Sequence, residues 1–191
     1  MSLQKINPRT KILLLFMIAV DAVRILLHLQ SNIGPMANFT PIGAMALFGG
    51  AHFSSNKKAY LFPLLTLWLG DILLNRLLFY HEWRLFYEGF YWTYGAFALM
   101  VLTGRLLIKK VTIKNILLSS LLVVFIHWMV TDFGVWLEGT IYPKTWAGWW
   151  TCLTVAIPYE INLIAGTLLY GSLMFISFEW IKARNPLLQT A

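Results

Sequence analysis

PIGAMALFGGAHF runs from Pro41 to Phe53, and the topology of the whole chain turns on it. It is apolar, but short beside the roughly 20 residues that a helix needs to cross a bilayer. Gly43, Ala46 and Gly50 recur at i, i+3 and i+7 and form one small-residue face. Ala46 and Gly50 have the small-xxx-small spacing that lets helix backbones approach closely. A phosphate-binding glycine loop is excluded, because no lysine follows at the spacing such a loop requires.

Outward from this stretch lie five longer apolar segments. With it they predict six helices, near residues 11–29, 41–53, 59–79, 90–108, 115–136 and 151–181. The last is long enough to tilt, or to kink at Pro158. Basic residues decide whether 41–53 crosses, since Lys and Arg accumulate on the cytoplasmic side of a membrane protein. Lys5, Arg9, Lys11, Lys57, Lys58, Arg105, Lys109, Lys110, Lys114, Lys182 and Arg184 fall on one side if there are six spans. The other side then receives Arg84 and Lys144. Without a crossing at 41–53 this asymmetry disappears. The expected architecture is therefore all-α and polytopic, one domain over residues 1–191, with both termini cytoplasmic.

Composition agrees. Of 191 residues, 59% are hydrophobic and 12% charged, with a net charge of +7. Soluble domains carry about 25% charged residues. The basic clusters between apolar segments are explained by topology, and no nucleic-acid partner is expected. The single cysteine, Cys152, excludes an internal disulfide and a CxxC metal site. The basic N-terminus precedes an apolar run with no small-residue cleavage site, so it reads as a retained first helix.

Ionisable residues within spans need a reason. Asp21 and Arg24 share a helical face and read as an internal ion pair. Asp71 lies in the third segment, His127 and Asp132 in the fifth, Glu160 and Asn162 in the sixth. On the six-span map most of these groups sit at mid-depth or toward the extracytoplasmic face. The loops on that face are aromatic: Tyr80 to Tyr94 reads YHEWRLFYEGFYWTY, and Thr131 to Trp150 reads TDFGVWLEGTIYPKTWAGWW. The opposite loops, SSNKK and KKVTIKN, hold no aromatic residue. Aromatic belts occur at both interfaces, so the one-sided enrichment predicts loops closing on an apolar or planar ligand.

That reading makes a candidate site. Trp83, Tyr87, Tyr91 and Trp92 supply ring surface from one loop, and Trp136, Tyr142 and Trp146 from the next. Asn38 supplies a hydrogen bond. Asp71, Asp132 and Asn162 supply polar contacts, and Arg84 pairs with an anionic group.

At NFTPIGAMALFGGAHF, WLGD, DFGVWL with the following YP and TWAG, and AIPYEIN, the chain resembles an uncharacterised bacterial six-helix membrane family. That family is similar to the substrate-binding S-components of energy-coupling-factor (ECF) vitamin transporters, the solitary cobalamin transporter included. The resemblance implies an inner-membrane protein that binds a vitamin at its extracytoplasmic end. It implies association with a T-component and its ATPases, and no enzymatic turnover. It makes cobalamin or a related corrinoid the first ligand candidate, bound as cargo and not as a cofactor. The cobalamin branch ligates cobalt through a cysteine in the region of the 80–94 loop. This chain has none there, so His81 would be the ligand.

Two other classes compete. One is a structural or assembly protein packing through its small-residue faces. The other is a membrane acyltransferase using His127 and Asp132 in an H-x4-D pattern. Five residues along a helix turn about 140° away from alignment, so these two do not share a face.

Overall fold

The computed structural model describes residues 7–29 and 38–188, all helices and connections with no strand. Six α-helices follow in order: α1 (Pro8–Leu29), α2 (Ile42–His52), α3 (Asn56–Leu74), α4 (Phe90–Leu107), α5 (Ile113–Glu138) and α6 (Trp146–Arg184). A π-helical turn, Asn75–Phe79, prolongs α3, and a 3-10 turn, Pro186–Leu188, follows α6. Four helices are long and apolar enough to cross a membrane: α1, α3 with its π-turn, α5 and α6. Residues 30–37 of the first aromatic-side loop, and Lys5 of the basic set, lie outside the described residues.

Helix starts are set by polar caps. The Ser55 side chain accepts from the Lys58 N–H. Thr112 accepts from Asn115 and Thr145 from Gly148. Three helices therefore begin ahead of the apolar runs that the sequence reading used. The largest difference is α6, whose 39 residues run through Pro158. It is about 58 Å long, nearly twice the roughly 30 Å hydrocarbon layer.

The helices alternate in direction, which gathers the connections at two ends. At one end Arg9 of α1 donates to the His52 carbonyl (3.0 Å), and Arg105 of α4 donates to the Phe53 carbonyl (3.0 Å). His52 Nε2 meets Glu179 of α6 at 3.3 Å. This basic end also holds Lys57, Lys58, Lys109, Lys110, Lys114 and Arg184. The opposite, aromatic end holds the 80–89 and 139–145 connections. Between Leu29 and Phe53 the chain thus passes from the aromatic end to the basic end.

The last part of that passage is α2, and it is encased. Every residue from Gly43 to Gly50 is buried. It is apolar all round, as a helix inside a bundle should be. Its glycines meet four neighbouring helices and not one. A Cβ at Gly50 would collide with the Val101 carbonyl oxygen of α4, and one at Gly104 with the Leu47 carbonyl oxygen. Gly43 faces Thr167 of α6, and Gly49 faces Pro63 of α3 and Met17 of α1. Ala46 is wholly buried between them. Around Phe48 of α2 close Phe16, Phe175 and Phe178, with ring centroids 5.5–5.7 Å from its own.

With 11 residues, α2 is about 17 Å long, against the roughly 30 Å hydrocarbon layer. Its start lies beside Gly166 and Thr167, about 30 Å along α6 from Trp146.

Candidate functional site

The site grows from three charged residues in apolar helices. Arg24 of α1 places Nη1 3.3 Å from Asp21 Oδ1 and Nη2 against Asp71 Oδ1 of α3. The side chains of all three are at least nine-tenths buried. Tyr94 of α4 donates to the other Asp71 oxygen at 2.8 Å. Asp21 can lie against α3 because residue 70 is glycine: any Cβ there would strike the Asp21 carboxylate. Asp21–Arg24 is thus one arm of a centre that joins three helices. A buried charge persists only when paired and hydrogen-bonded, and Asp71 uses both oxygens to that end.

Directly past Asp71 the α-helical ladder widens to the π-turn, and the Tyr80 N–H bonds back to the Asn75 carbonyl at 2.9 Å. Such turns are frequent at functional sites because they re-aim side chains. The Asn75 amide reaches out and donates to the Arg84 carbonyl (3.1 Å). Trp68 donates to the Leu85 carbonyl (2.9 Å), and Arg76 to that of His81. Three side chains of α3 and its π-turn therefore hold the 80–89 connection. Gly89, at φ 74°, makes the left-handed step into α4 that favours glycine.

Between this connection and the charged centre lies a cavity of about 500 Å³, lined by Arg24, His28, Asp71, Leu74, Asn75, Phe79, Tyr80 and Tyr87. Its volume is in the range of small-molecule sites. Burial, with the Asp71 carboxylate nearby, pushes the Tyr87 phenol up to about 12. Tyr87 is therefore a neutral hydroxyl at physiological pH.

A family model described as a family of unknown function, DUF6580, matches residues 4–188. The chain belongs to DUF6580. No curated protein and no solved structure matches it.

In this DUF6580 chain the sequence-predicted residues fall into separate groups. Asp71 and Tyr87 line the cavity. Tyr91 and Trp92 turn to α5, where both donate to Glu138. Trp92 rests on Gly134, and together with Thr93 and Glu138 it borders a second cavity of about 460 Å³ that shares Tyr87. Trp136 stacks with Phe133 and Trp149, centroids 5.7 Å apart in each case, and donates to the Pro143 carbonyl (3.0 Å). Lys144 closes the same corner on the Trp136 and Gly139 carbonyls. The 139–145 connection is thus packed on its own helix ends. Trp136, Tyr142 and Trp146 do not line the cavity, and Trp146 is 80% exposed.

Trp83, 68% exposed, and His81, at φ 56°, lie outside the cavity lining. Arg84 sits over the Tyr80 ring (4.2 Å) beside Glu82 (3.6 Å). Asn38 occupies a left-handed turn next to Phe39, whose ring meets Tyr170 well along α6. Asp132 belongs to the α5–α6 seam with His127 and Glu160, and Asn162 follows on α6. There His127 Nδ1 is 3.0 Å from Glu160 Oε1, so its hydrogen-bond partner is on α6 and not Asp132. Among the described residues no group of three or more His, Cys, Asp or Glu could hold a metal ion.

Tyr94, Asn75 and His28 were not singled out from sequence. Tyr94 falls both in the aromatic stretch 80–94 and in the predicted helix 90–108, and it sits one turn into α4. Its spacing of one helical turn from Phe90 was the available signal.

Proposed function

We propose that this is an integral membrane protein of the inner membrane, with six helices, that binds a small molecule in the Arg24–Asp71–Tyr87 cavity and takes part in its uptake. The observation that carries the reading is the buried Asp21–Arg24–Asp71 centre opening into a cavity of about 500 Å³. Ionisable residues inside membrane helices are costly, and they mark ligand and ion pathways. The clustering of Lys and Arg at one end of the bundle supports a cytoplasmic basic end, with both termini there. The aromatic end and its cavity then face outward, as the resemblance to S-components implies. Partners follow from that resemblance: the bilayer, a vitamin-like cargo, and a T-component with ATPases unless the protein works alone.

The cavity favours a compact ring compound. A corrinoid with its nucleotide tail is large beside this volume, and His81 does not line it. Cobalamin therefore heads the candidates by resemblance, and smaller vitamins by fit.

Native mass spectrometry and absorption spectroscopy of detergent-purified protein, with cobalamin and a vitamin panel, test this. One ligand per chain, weakened by Asp71→Asn and Tyr87→Ala, is the expected result. No binding across the panel, with both variants changing only stability, would transfer the reading to a structural or assembly protein.

A further inference from the structure

We infer that the molecule taken by this cavity carries a positive charge on or beside an aromatic ring. This rests on the reading that the cavity is the binding site, and it names the chemistry of the ligand.

The charge count comes first. Two carboxylates, Asp21 and Asp71, face one guanidinium, Arg24, and all three are buried. In their ionised forms they leave one negative charge without a partner inside the helices. Uncompensated buried charge is strongly unfavourable, so a cation entering the cavity has a large differential advantage.

Next is the geometry of Arg24. Both terminal nitrogens are already engaged, Nη1 by Asp21 and Nη2 by Asp71. Nε has no partner, but it is buried, and an anion reaching it would come up against the two carboxylates that already hold the guanidinium. Arg24 is therefore part of the wall and not an anion anchor.

The remaining charged and titratable groups around the cavity do not reverse the balance. His28 lines it and donates from Nδ1 to the Arg24 carbonyl (2.8 Å). Arg84 is not a lining residue and is offset by Glu82 at 3.6 Å. Arg76 lies over Trp83 (5.9 Å) and is not a lining residue. Tyr94 is spent on Asp71. The rest of the lining includes three rings, Phe79, Tyr80 and Tyr87. Aromatic faces attract cations, more so when desolvated. Tyr80 already shows this, with the Arg84 guanidinium 4.2 Å from its centroid. A heteroaromatic cation satisfies the carboxylate excess and the ring surface together; a neutral ring satisfies only the second.

Three probes of matched size and different charge test the inference: 1-methylquinolinium, the neutral 1-methyl-2-quinolone and the anion quinoline-2-carboxylate. Binding to the purified full chain is measured by native mass spectrometry and by quenching of tryptophan fluorescence. The cation should bind roughly ten-fold or more tighter than the neutral probe, and the anion weakest. Asp21→Asn leaves Arg24–Asp71 as a balanced pair and should bring cation and neutral probe close to parity. If Asp21→Asn does not fold, the charge series on the unaltered chain still decides. Equal or reversed preference among probes that bind, or an Asp21→Asn protein with unchanged preference, overturns the cation inference and leaves the binding site standing. Binding of no probe, together with no binding across the vitamin panel, removes the site itself.

Discussion

The Tyr94 hydroxyl stands 2.8 Å from Asp71 Oδ2, while Asp71 Oδ1 holds Arg24. One carboxylate thus ties α1, α3 and α4 together. Replacing Asp71 by Ala leaves Arg24 with Asp21 alone and the half-buried Tyr94 phenol without its acceptor, and should cost about 3 kcal/mol. Tyr94→Phe removes one hydrogen bond and should cost about 1–2 kcal/mol. Thermal unfolding in detergent checks the order, and a Tyr94→Phe loss as large as that of Asp71→Ala would contradict it.

Gly50 and Gly104 let α2 and α4 touch through their backbones. Gly50→Ala or Gly104→Ala must separate two buried helices, and each should cost more than about 3 kcal/mol. Gly95 has open space where a Cβ would go. Gly95→Ala should therefore be neutral or gain up to about 1 kcal/mol from helix propensity. Size-exclusion profiles and melting curves of the three variants measure the contrast.

The proposed orientation is open to chemical labelling. Cysteines introduced at Trp83 and Lys144, at the aromatic end, should react in intact cells with a membrane-impermeant maleimide. Those at Ser54 and Lys110, at the basic end, should react only after permeabilisation. Native Cys152 is buried and gives little background. Labelling of Ser54→Cys from outside would remove the crossing between Leu29 and Phe53 from the topology.

Tyr87 predicts an alkaline effect. Its phenol ordinarily ionises near 10 and is pushed up to about 12 by burial. Above pH 10 the unfolded chain loses this proton while the folded chain keeps it, so stability falls as pH rises from about 10 to 12. Below pH 10 the group contributes no pH dependence. Unfolding midpoints of Tyr87→Phe should therefore lose part of the alkaline decline while matching the unaltered chain at pH 7.

Much of the helical plan was legible because long apolar runs allow little else. The boundaries shifted where Ser55, Thr112 and Thr145 cap their helices. These residues are polar, so a reading led by hydropathy begins too late. Asp71 stood out as an ionisable residue in an apolar run. Its partnership with Arg24 did not, since nothing in one sequence says that α1 lies against α3. The aromatic loops misled in another way. Tryptophans near Gly and Pro suggest a lid, but Phe133, Trp136 and Trp149 satisfy one another. Sequence counts rings and does not say whether they face a ligand or each other.

The encasement of α2 also sets a timetable. Gly50 lies against Val101 of α4, Leu47 against Gly104 of α4, and Gly43 against Thr167 of α6, and α6 leaves the ribosome after the other five helices. Until then α2 is a short helix without its walls, unable to settle by itself at full depth. Chains stopped before Gly166 should accordingly be recognised as unfinished and cleared by quality-control proteases, however normally α1 and α3 have inserted. Supplying residues 146–191 as a separate fragment should rescue them.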